Sequence, residues 1–300
     1  MYYSLNEYLN HKFGCKVYKL SISGGMTCPN RDGKLGNRGC IFCSGTGSGD
    51  FAEPLCDSVS QQLERAKAKV NGKIKGGKYI AYFQDHTNTY APVSYLEKIF
   101  SEAIGHPDVV ALSVATRPDC LPDEVLDLLE KLNRQKPVLV ELGLQTIHET
   151  SAEFIRRGYE LSVFDQAVAK LKNRRLDVVV HMIIGLPGET EQMIYETASY
   201  IGHSGADGIK FHLLHVLKNT DLATIFAEGR FELPSLEKYT EILLGCLKRI
   251  PPDMVVHRLT GDGAKRDLIA PLWSADKKKV LNYINSQIKL TNLTQGELFS

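Results

Sequence analysis

The sequence predicts an α/β fold in which six strand–helix units form a partial parallel barrel, a (β/α)6 arrangement with a C-terminal extension. Short runs rich in β-branched and aromatic residues alternate with longer helical patterns, which indicates right-handed parallel units. Most of these runs are nearly all apolar, as in strands whose two faces are both covered. After six units, too little of the 300-residue chain remains for a full eight-stranded barrel.

The elements can be assigned in order along the chain. The predicted strands are KVYKLSI (16–22), KYIAYF (78–83), VVALSVA (109–115), VLVELGL (138–144), DVVVHMIIG (177–185) and DGIKFHLL (207–214). The predicted helices occupy residues 56–71, 92–104, 122–134, 162–174 and 190–203. Pro92 and Pro122 lie near first helical positions, where a missing N–H has no cost, and Ser162 can cap a third helix.

The pattern changes after residue 215. A helix is predicted around 235–249, followed by a strand-like segment at 255–259, a Gly-Asp-Gly loop at 261–263 and an amphipathic helix at 276–290. No linker marks a separate domain. We therefore divide the chain into a barrel core with an N-terminal helix, residues 1–215, and an extension packed on it, residues 216–300.

The composition of the chain limits the classes of protein to which it can belong. No apolar run reaches the ~18 residues of a membrane helix, and the N-terminus lacks the basic start and apolar stretch of a signal peptide. These features predict a cytoplasmic protein with no membrane partner. The net charge of +1 neither requires nor excludes nucleic acid. Two groups of lysines are either solvated faces or phosphate contacts: Lys67, Lys69, Lys73, Lys75 and Lys78, and Lys277, Lys278 and Lys279.

Three of the seven cysteines, Cys28, Cys40 and Cys43, are crowded into one Gly- and Asn-rich loop after the first strand. Their spacing is C-x11-C-x2-C. Three thiolates on a cubic iron–sulfur cluster leave one iron without a protein ligand, and a small molecule can bind there. The other four cysteines, Cys15, Cys56, Cys120 and Cys246, are scattered and lack ligand spacing.

Zinc is the alternative reading of the same loop. A structural zinc site usually has four protein ligands in two pairs, and no second C-x2-C pair is present here. A histidine can supply a fourth ligand, so the cysteines alone leave zinc open. The candidate histidines are His86, His181, His212 and His215.

The cysteine loop resembles the cluster loop of the radical S-adenosylmethionine (SAM) superfamily, with the aromatic Phe42 directly before the last cysteine. The x11 gap is similar to that of the catalytic subunit of elongator, and the whole chain resembles a bacterial radical SAM family distantly related to that subunit. The resemblance runs from about Tyr18 to about Trp273. The segments that carry it are GGMTCPNRDG, GCIFCS, YFQDHTNTY, ATRPDCLPDEVLDLL, VELGLQT, HMIIGLPGE, GIKFHLLHV, RLTGD and IAPLWS.

This resemblance implies that Cys28, Cys40 and Cys43 are the catalytic cluster ligands and that a [4Fe–4S] cluster and SAM are the cofactors. SAM would be cleaved to a 5′-deoxyadenosyl radical, with one electron from an external flavodoxin- or ferredoxin-type donor. Chemistry in parallel barrels collects where strands end. The SAM contacts expected there are Phe42, Gln84, Asn88, Thr116, Glu141, Gln145, Arg157, His181, Gly185 and Pro187.

Several of these side chains also have structural alternatives. Asn88 and Asp85 can bond their own backbone in a turn. Arg117 contacts either SAM or substrate, or forms an ion pair with Asp119 or Glu124. The resemblance implies that Glu141 or Gln145 contacts the SAM ribose hydroxyls. A carboxylate facing into a barrel is costly unless it is paired or bonded, which favours a role for Glu141.

Substrate contacts are expected at the mouth of the barrel. The sixth strand provides Lys210, His212 and His215, and the extension closes the other side. The candidate residues are Arg117, His212, His215, Arg258, Asp262 and Arg266.

Elongator-like relatives act on the wobble uridine of tRNA, so the resemblance implies a tRNA substrate with a carboxymethylaminomethyl-type group. A radical SAM enzyme acting on a small metabolite and a non-catalytic metal-binding module are the alternatives.

Overall fold

The computed structural model describes residues 1–47, 49–70 and 77–300. Seven parallel strands form one curled sheet that resembles half a barrel, in the order β1-β2-β3-β4-β5-β6-β8. The fold class predicted from the sequence is confirmed. The strands of this sheet are β1 (Val17–Ile22), β2 (Lys78–Phe83), β3 (Val109–Thr116), β4 (Val138–Gln145), β5 (Asp177–Ile184), β6 (Gly208–Leu213) and β8 (Val255–Arg258).

Helices connect the strands and pack on the outer face of the sheet. This outer layer buries the larger apolar core, because every second strand residue points towards the helices. The helices are α1 (Leu5–Phe13), α2 (Val59–Val70), α3 (Val93–Gly105), α4 (Asp123–Asn133), α5 (Glu149–Phe154), α6 (Leu161–Asn173), α7 (Glu191–His203), α8 (Asp221–Ala227), α9 (Leu236–Leu247) and α10 (Lys277–Leu290).

The extension contributes the seventh strand of the sheet. β8 pairs in parallel with β6, and the amide of Val256 donates to the carbonyl of Tyr3 at 2.8 Å. The amino-terminal segment therefore lies beside the last strand. Two short strands of the extension region, β7 (Val216–Leu217) and β9 (Leu268–Ala270), form a separate antiparallel pair.

Some details of the described residues differ from the sequence prediction. Helix α6 begins at Leu161 after the cap residue Glu160, so Ser162 lies inside the first turn. The short helices α5 and α8 were not predicted, because neither is long enough for a clear 3.6-residue period. Residue 71, the predicted end of α2, lies outside the described residues, as do Lys73 and Lys75 of the first lysine group.

The inner face of the sheet is organised in layers. At the bottom, α1 inserts Leu9 against apolar side chains of five strands, which closes that end of the barrel. Those side chains are Val17, Ile80, Ala111, Leu139 and Val179. Because strand side chains alternate with period two, the residues two positions further along form the next inner layer. In that layer the apolar sequence gives way to polar and charged side chains.

Candidate active site

A cavity of about 260 Å³ opens at the carboxyl ends of the strands. The cysteine loop lines its upper part and the sheet interior forms its floor. The described part of the extension lines one side through the Gly261–Gly263 loop. In parallel barrels this end carries the chemistry, so the cavity is the candidate active site.

The three clustered cysteines Cys28, Cys40 and Cys43 all line this cavity. Asn30 holds the loop in place: its Nδ2 donates to the carbonyl of Arg156 at 2.7 Å and to the Sγ of Cys40 at 3.4 Å. The loop is therefore fixed to the segment after α5, and one thiol already accepts a hydrogen bond from a neutral amide.

The environment of Cys40 favours the thiolate. A hydrogen bond with Cys43, together with Asn30 and the guanidinium groups of Arg117 and Arg31, lowers the pKa of the Cys40 thiol to about 6 against the effect of burial. Iron binds thiolates rather than thiols. Burial instead raises the pKa of the Cys120 thiol to about 12, so this scattered cysteine remains protonated.

This donor set fits an iron–sulfur cluster. Within the described ranges, no three His, Cys, Asp or Glu side chains are grouped as ligands of one metal ion. In a [4Fe–4S] cluster each cysteine binds a different iron, so its thiols surround a cluster instead of meeting at a point. Three thiols facing one cavity match that requirement.

The floor of the cavity is a buried charged network around Glu141 of β4. Its carboxylate accepts hydrogen bonds from Lys19 Nζ (2.5 Å), Ser113 Oγ (2.6 Å) and His181 Nε2 (2.8 Å), and Lys210 Nζ contacts its second oxygen. We call these five residues the floor cluster. Glu141 is 0% exposed, and the two ammonium groups and the histidine hydrogen bond hold the pKa of its carboxyl well below the usual value despite burial.

Burial acts in the opposite direction on the basic members of the network. It lowers the pKa of Lys210 to about 7 and that of His181 to about 4. Lys210 also donates to the hydroxyl of Tyr82 at 3.0 Å. The Tyr82 ring lies beside both lysines, 4.8 Å from Lys19 Nζ and 4.4 Å from Lys210 Nζ.

Above the floor, polar side chains from neighbouring strands form the wall. Gln84 Oε1 accepts from Ser21 Oγ at 3.0 Å. Thr116 Oγ1 lies 2.5 Å from Thr89 Oγ1. Gln145 ends β4 with a φ of 71°, a conformation that is uncommon for a residue with a side chain.

Three buried atoms of cavity-lining residues lack a hydrogen-bond partner among the residues that the structure describes. They are His86 Nδ1, Gln145 Oε1 and His212 Nε2. Buried polar atoms are almost always bonded. These three therefore mark places where a bound molecule can supply the partner.

Two arginines of the wall are already engaged by the protein. Arg157 donates to the carbonyls of Thr146 (2.7 Å) and Tyr159 (3.0 Å) and to Glu149 (3.1 Å). Arg117 forms a bidentate pair with Asp119 at 2.9 and 2.8 Å, which is the structural alternative recognised in the sequence. Both guanidinium groups also lie against the Tyr159 ring.

On the extension side, Arg258 and Lys277 both contact Asp262, at 3.1 and 2.6 Å. His215 Nε2 lies 3.2 Å from Ser274 Oγ. Arg258, Asp262 and His215 line the cavity together with His212.

Four predicted site residues do not line the cavity. Asn88 is buried and donates to the carbonyls of Asp85 (2.8 Å) and Ala115 (2.9 Å). Arg266 is 78% exposed and pairs with its neighbour Asp267. Gly185 has a φ of 95° and packs against Pro234, and Pro187 follows in the same turn. The other predicted side chains surround one cavity: Cys28, Cys40, Phe42, Cys43, Gln84, Thr116, Arg117, Glu141, Gln145, Arg157, His181, His212, His215, Arg258 and Asp262.

Sequence reasoning missed Lys19, Tyr82, Ser113 and Asn30, and it singled out Lys210 without assigning it a role. Lys19 and Tyr82 are side chains with a polar group inside largely apolar strands. This was the signal in the sequence that could have identified them. Their convergence depends on the curl of the sheet.

Comparison with known proteins identifies the family. The radical SAM superfamily model matches residues 33–201, a span that includes Cys40 and Cys43 and begins just after Cys28, and the radical SAM C-terminal domain matches residues 206–289. The Bacillus subtilis protein YtqA is 44% identical over 298 residues, which cover 99% of this chain and 92% of YtqA.

More distant relatives include elongator complex protein 3. The human protein is 26% identical over 240 residues, or 72% of this chain and 40% of its own length. The archaeal Elp3 of Methanocaldococcus infernus, with an N-terminal deletion, superposes with a TM-score of 0.69 at 16% identity, covering 93% of this chain and 64% of that structure. At that identity, the structural likeness concerns the fold.

The two family models match residues 33–201 and 206–289, and the structure has the features expected of that family, three thiols at the mouth of a curled parallel sheet. The chain therefore belongs to the radical SAM superfamily, and its cofactors are those of the superfamily, a [4Fe–4S] cluster and SAM.

Proposed function

We propose that this radical SAM enzyme modifies the wobble uridine of tRNA at a carboxymethylaminomethyl-type side chain. The observation that carries the proposal is one cavity with the cluster thiols at its mouth, a cationic floor and a basic rim beside the opening. The distant similarity to elongator complex protein 3 supports the same substrate class, since elongator-like enzymes act on wobble uridine.

The basic rim consists of Lys218, Lys265, Arg266 and Lys277, next to the cavity-lining Gly261–Gly263 loop. Lys218 Nζ donates to the carbonyl of Arg266 at 3.0 Å, and Lys277 Nζ contacts Asp262 at 2.6 Å. Basic side chains beside an opening can bind phosphates while a base enters. The rim therefore provides a place for the tRNA backbone.

The first lysine group has a different environment. Lys67 contacts Glu64 (2.7 Å) and Asp108 (2.9 Å), and Lys69 contacts Glu53. Asp108 directly precedes β3, so Lys67 lies at the amino ends of the strands, opposite the cavity. We therefore assign the RNA-binding role to the basic rim.

The roles of the residues follow from their positions. Cys28, Cys40 and Cys43 hold the cluster, and Asn30 keeps Cys40 in place. Gln84 and Gln145 present amides to SAM from the wall, and Phe42 covers it from the cysteine loop. When bound, the cluster and SAM supply reductive cleavage of SAM and hydrogen-atom abstraction from the substrate. The protein positions the substrate and excludes water. A flavodoxin- or ferredoxin-type protein supplies the electron.

The test is formation of 5′-deoxyadenosine by the anaerobically reconstituted, reduced protein with SAM. We expect cellular tRNA that carries the carboxymethylaminomethyl group to stimulate product formation. An unmodified transcript of the same tRNA is the matched control, and we expect no stimulation from it. Equal rates with and without either RNA would refute the tRNA substrate.

A small-metabolite substrate is the second candidate, because the cavity of about 260 Å³ is closed below by α1 and Leu9. A metabolite would fit entirely inside it. In that case 5′-deoxyadenosine formation would be indifferent to RNA and would rise with a metabolite extract.

A further inference from the structure

The floor cluster contains more positive than negative charge. Lys19 and Lys210 both contact the carboxylate of Glu141, with side-chain exposures of 16% and 7%. Among the described residues, Glu141 is the one acidic side chain within ion-pair distance of either lysine. Two ammonium groups therefore face one carboxylate in a buried place, where an unpaired charge is costly.

Neighbouring groups do not remove this excess. Arg258 is also positive, and its partner Asp262 is shared with Lys277. Burial lowers the pKa of His181 and His257, so both rings are neutral at pH 7. The nearby imidazoles thus add no charge, and the excess ammonium has no counterion within the part of the chain that the structure describes.

Of the two lysines, Lys210 is the one that faces the cavity. Lys210 lines the cavity, whereas Lys19 Nζ lies between Glu141 and the Nδ1 of His257, 3.5 Å away, and does not line it. Burial lowers the pKa of Lys210 to about 7. A bound anion would raise this pKa and keep the ammonium charged.

A second hydrogen-bonding group faces the same part of the cavity. His212 follows Lys210 by two residues on β6, so both side chains point inward. Its Nε2 is buried without a partner among the described residues, and its ring lies 5.0 Å from that of His181. A neutral imidazole can donate one N–H to a ligand oxygen.

We infer that Lys210 and His212 bind a carboxylate of the substrate at the floor of the cavity. A carboxylate is a monoanion and balances the one excess positive charge of the floor cluster. The SAM carboxylate would be held at the open iron, near the cysteine loop above. This inference rests on the proposed function, in which the uridine side chain ends in a carboxylate.

The first test compares two forms of one tRNA that differ in the carboxylate alone, one with a carboxymethylaminomethyl and one with a methylaminomethyl wobble uridine. We expect the holoenzyme to bind the carboxylate form more tightly. Lys210→Met keeps the length of the side chain and leaves Glu141 paired with Lys19. Because a hydrogen bond to a charged group contributes about 1.5–3 kcal/mol, this variant is expected to weaken binding of the carboxylate form by about tenfold or more.

Lys19→Met is the matched control. It removes the same charge from the same carboxylate and therefore also reduces the excess charge of the floor cluster, but Lys19 does not line the cavity. We therefore expect the preference for the carboxylate tRNA to fall less in this variant than in Lys210→Met. A carboxylate preference that survives Lys210→Met undiminished would overturn the inference, whereas equal affinity of the wild type for the two tRNAs would reject the tRNA as the source of the carboxylate.

A second test is independent of tRNA. Sodium acetate, compared with sodium chloride and acetamide, is expected to raise the melting temperature of the wild type in a saturable way and to have no such effect on Lys210→Met. An acetate effect without any tRNA preference would retain the carboxylate site and reject the tRNA substrate. Failure of acetate to act on the wild type, together with equal binding of the two tRNAs, would reject the carboxylate site itself.

Discussion

Lys210 of β6 and Glu141 of β4 are in direct contact across the interior of the sheet, although β5 separates their strands. Lys19 of β1 reaches the same carboxylate at 2.5 Å. One buried carboxylate therefore joins strands that are not neighbours in the sheet, and it does so directly beneath the cavity.

Replacing Glu141 with glutamine is expected to destabilise the fold strongly. The change is nearly isosteric but leaves Lys19 and Lys210 buried without a counterion. Removing one partner of a buried ion pair costs about 3–5 kcal/mol. Urea denaturation of the wild type and of Glu141→Gln measures this loss in the free energy of unfolding.

Glu97→Gln serves as the control for that measurement. Glu97 contacts Lys131 at 2.7 Å on the surface, with exposures of 48% for Glu97 and 64% for Lys131. Exposed pairs contribute little, so this variant is expected to lie within about 1 kcal/mol of the wild type. If Glu141→Gln were as stable as Glu97→Gln, the floor cluster would have no role in stabilising the fold.

Replacement of Cys40 by alanine is expected to abolish both the cluster and SAM cleavage. The thiol is one of three that line the cavity, and two cysteines do not hold a [4Fe–4S] cluster firmly. Iron content, visible absorbance and 5′-deoxyadenosine measure the two losses. Cys56→Ala is the control: it changes a cysteine outside the cavity and is expected to retain both the cluster and SAM cleavage. A cluster retained in Cys40→Ala would contradict the assignment of Cys40 as a ligand.

Much of the architecture could be predicted from local patterns. Runs of β-branched residues marked β1 to β6, because a strand buried on both faces must be apolar along its length. The cysteine spacing marked the mouth of the cavity, because its three ligands lie in one short loop.

The floor cluster could not be predicted in the same way. Lys19, Glu141 and Lys210 lie in three different strands, and only the curl of the sheet brings them together. The pairing of Arg117 with Asp119 was foreseen as an alternative because the two residues are close in sequence. The parallel pairing of β8 with β6 also depends on long-range packing, which sequence periodicity does not encode.

Neutralising the basic rim is expected to weaken tRNA binding and its dependence on salt. Each phosphate contact that is lost reduces the slope of log K against log salt by about one. The double variant Lys265→Gln/Arg266→Gln tests this in a filter-binding titration at several salt concentrations. Lys67→Gln/Lys69→Gln removes the same charge from the ion-paired group and is expected to leave the slope unchanged; equal slopes in all three proteins would exclude the rim as the RNA contact.

The stability of the protein is expected to rise with pH above about 7 because of Lys210. Burial lowers its pKa to about 7 in the folded state, from 10.5 for an ordinary lysine. Between these two values the unfolded chain binds more protons than the folded one, so deprotonation favours folding. The groups that act on Lys210 include Glu141, which raises its pKa, and Lys19 and Arg258, which lower it.

The measurement is the free energy of unfolding of the wild type and of Lys210→Met between pH 6 and pH 9, approximately the range that spans the shifted pKa. The free energy of unfolding of the wild type minus that of Lys210→Met is expected to rise with pH, by up to about 1.4 kcal/mol per pH unit. Other titrating groups are common to both proteins, so their effects cancel in this difference. Acetate is expected to move this change to higher pH, since a bound carboxylate stabilises the ammonium. A difference independent of pH would show that Lys210 keeps an ordinary pKa, and the excess charge of the floor cluster would then be balanced in another way.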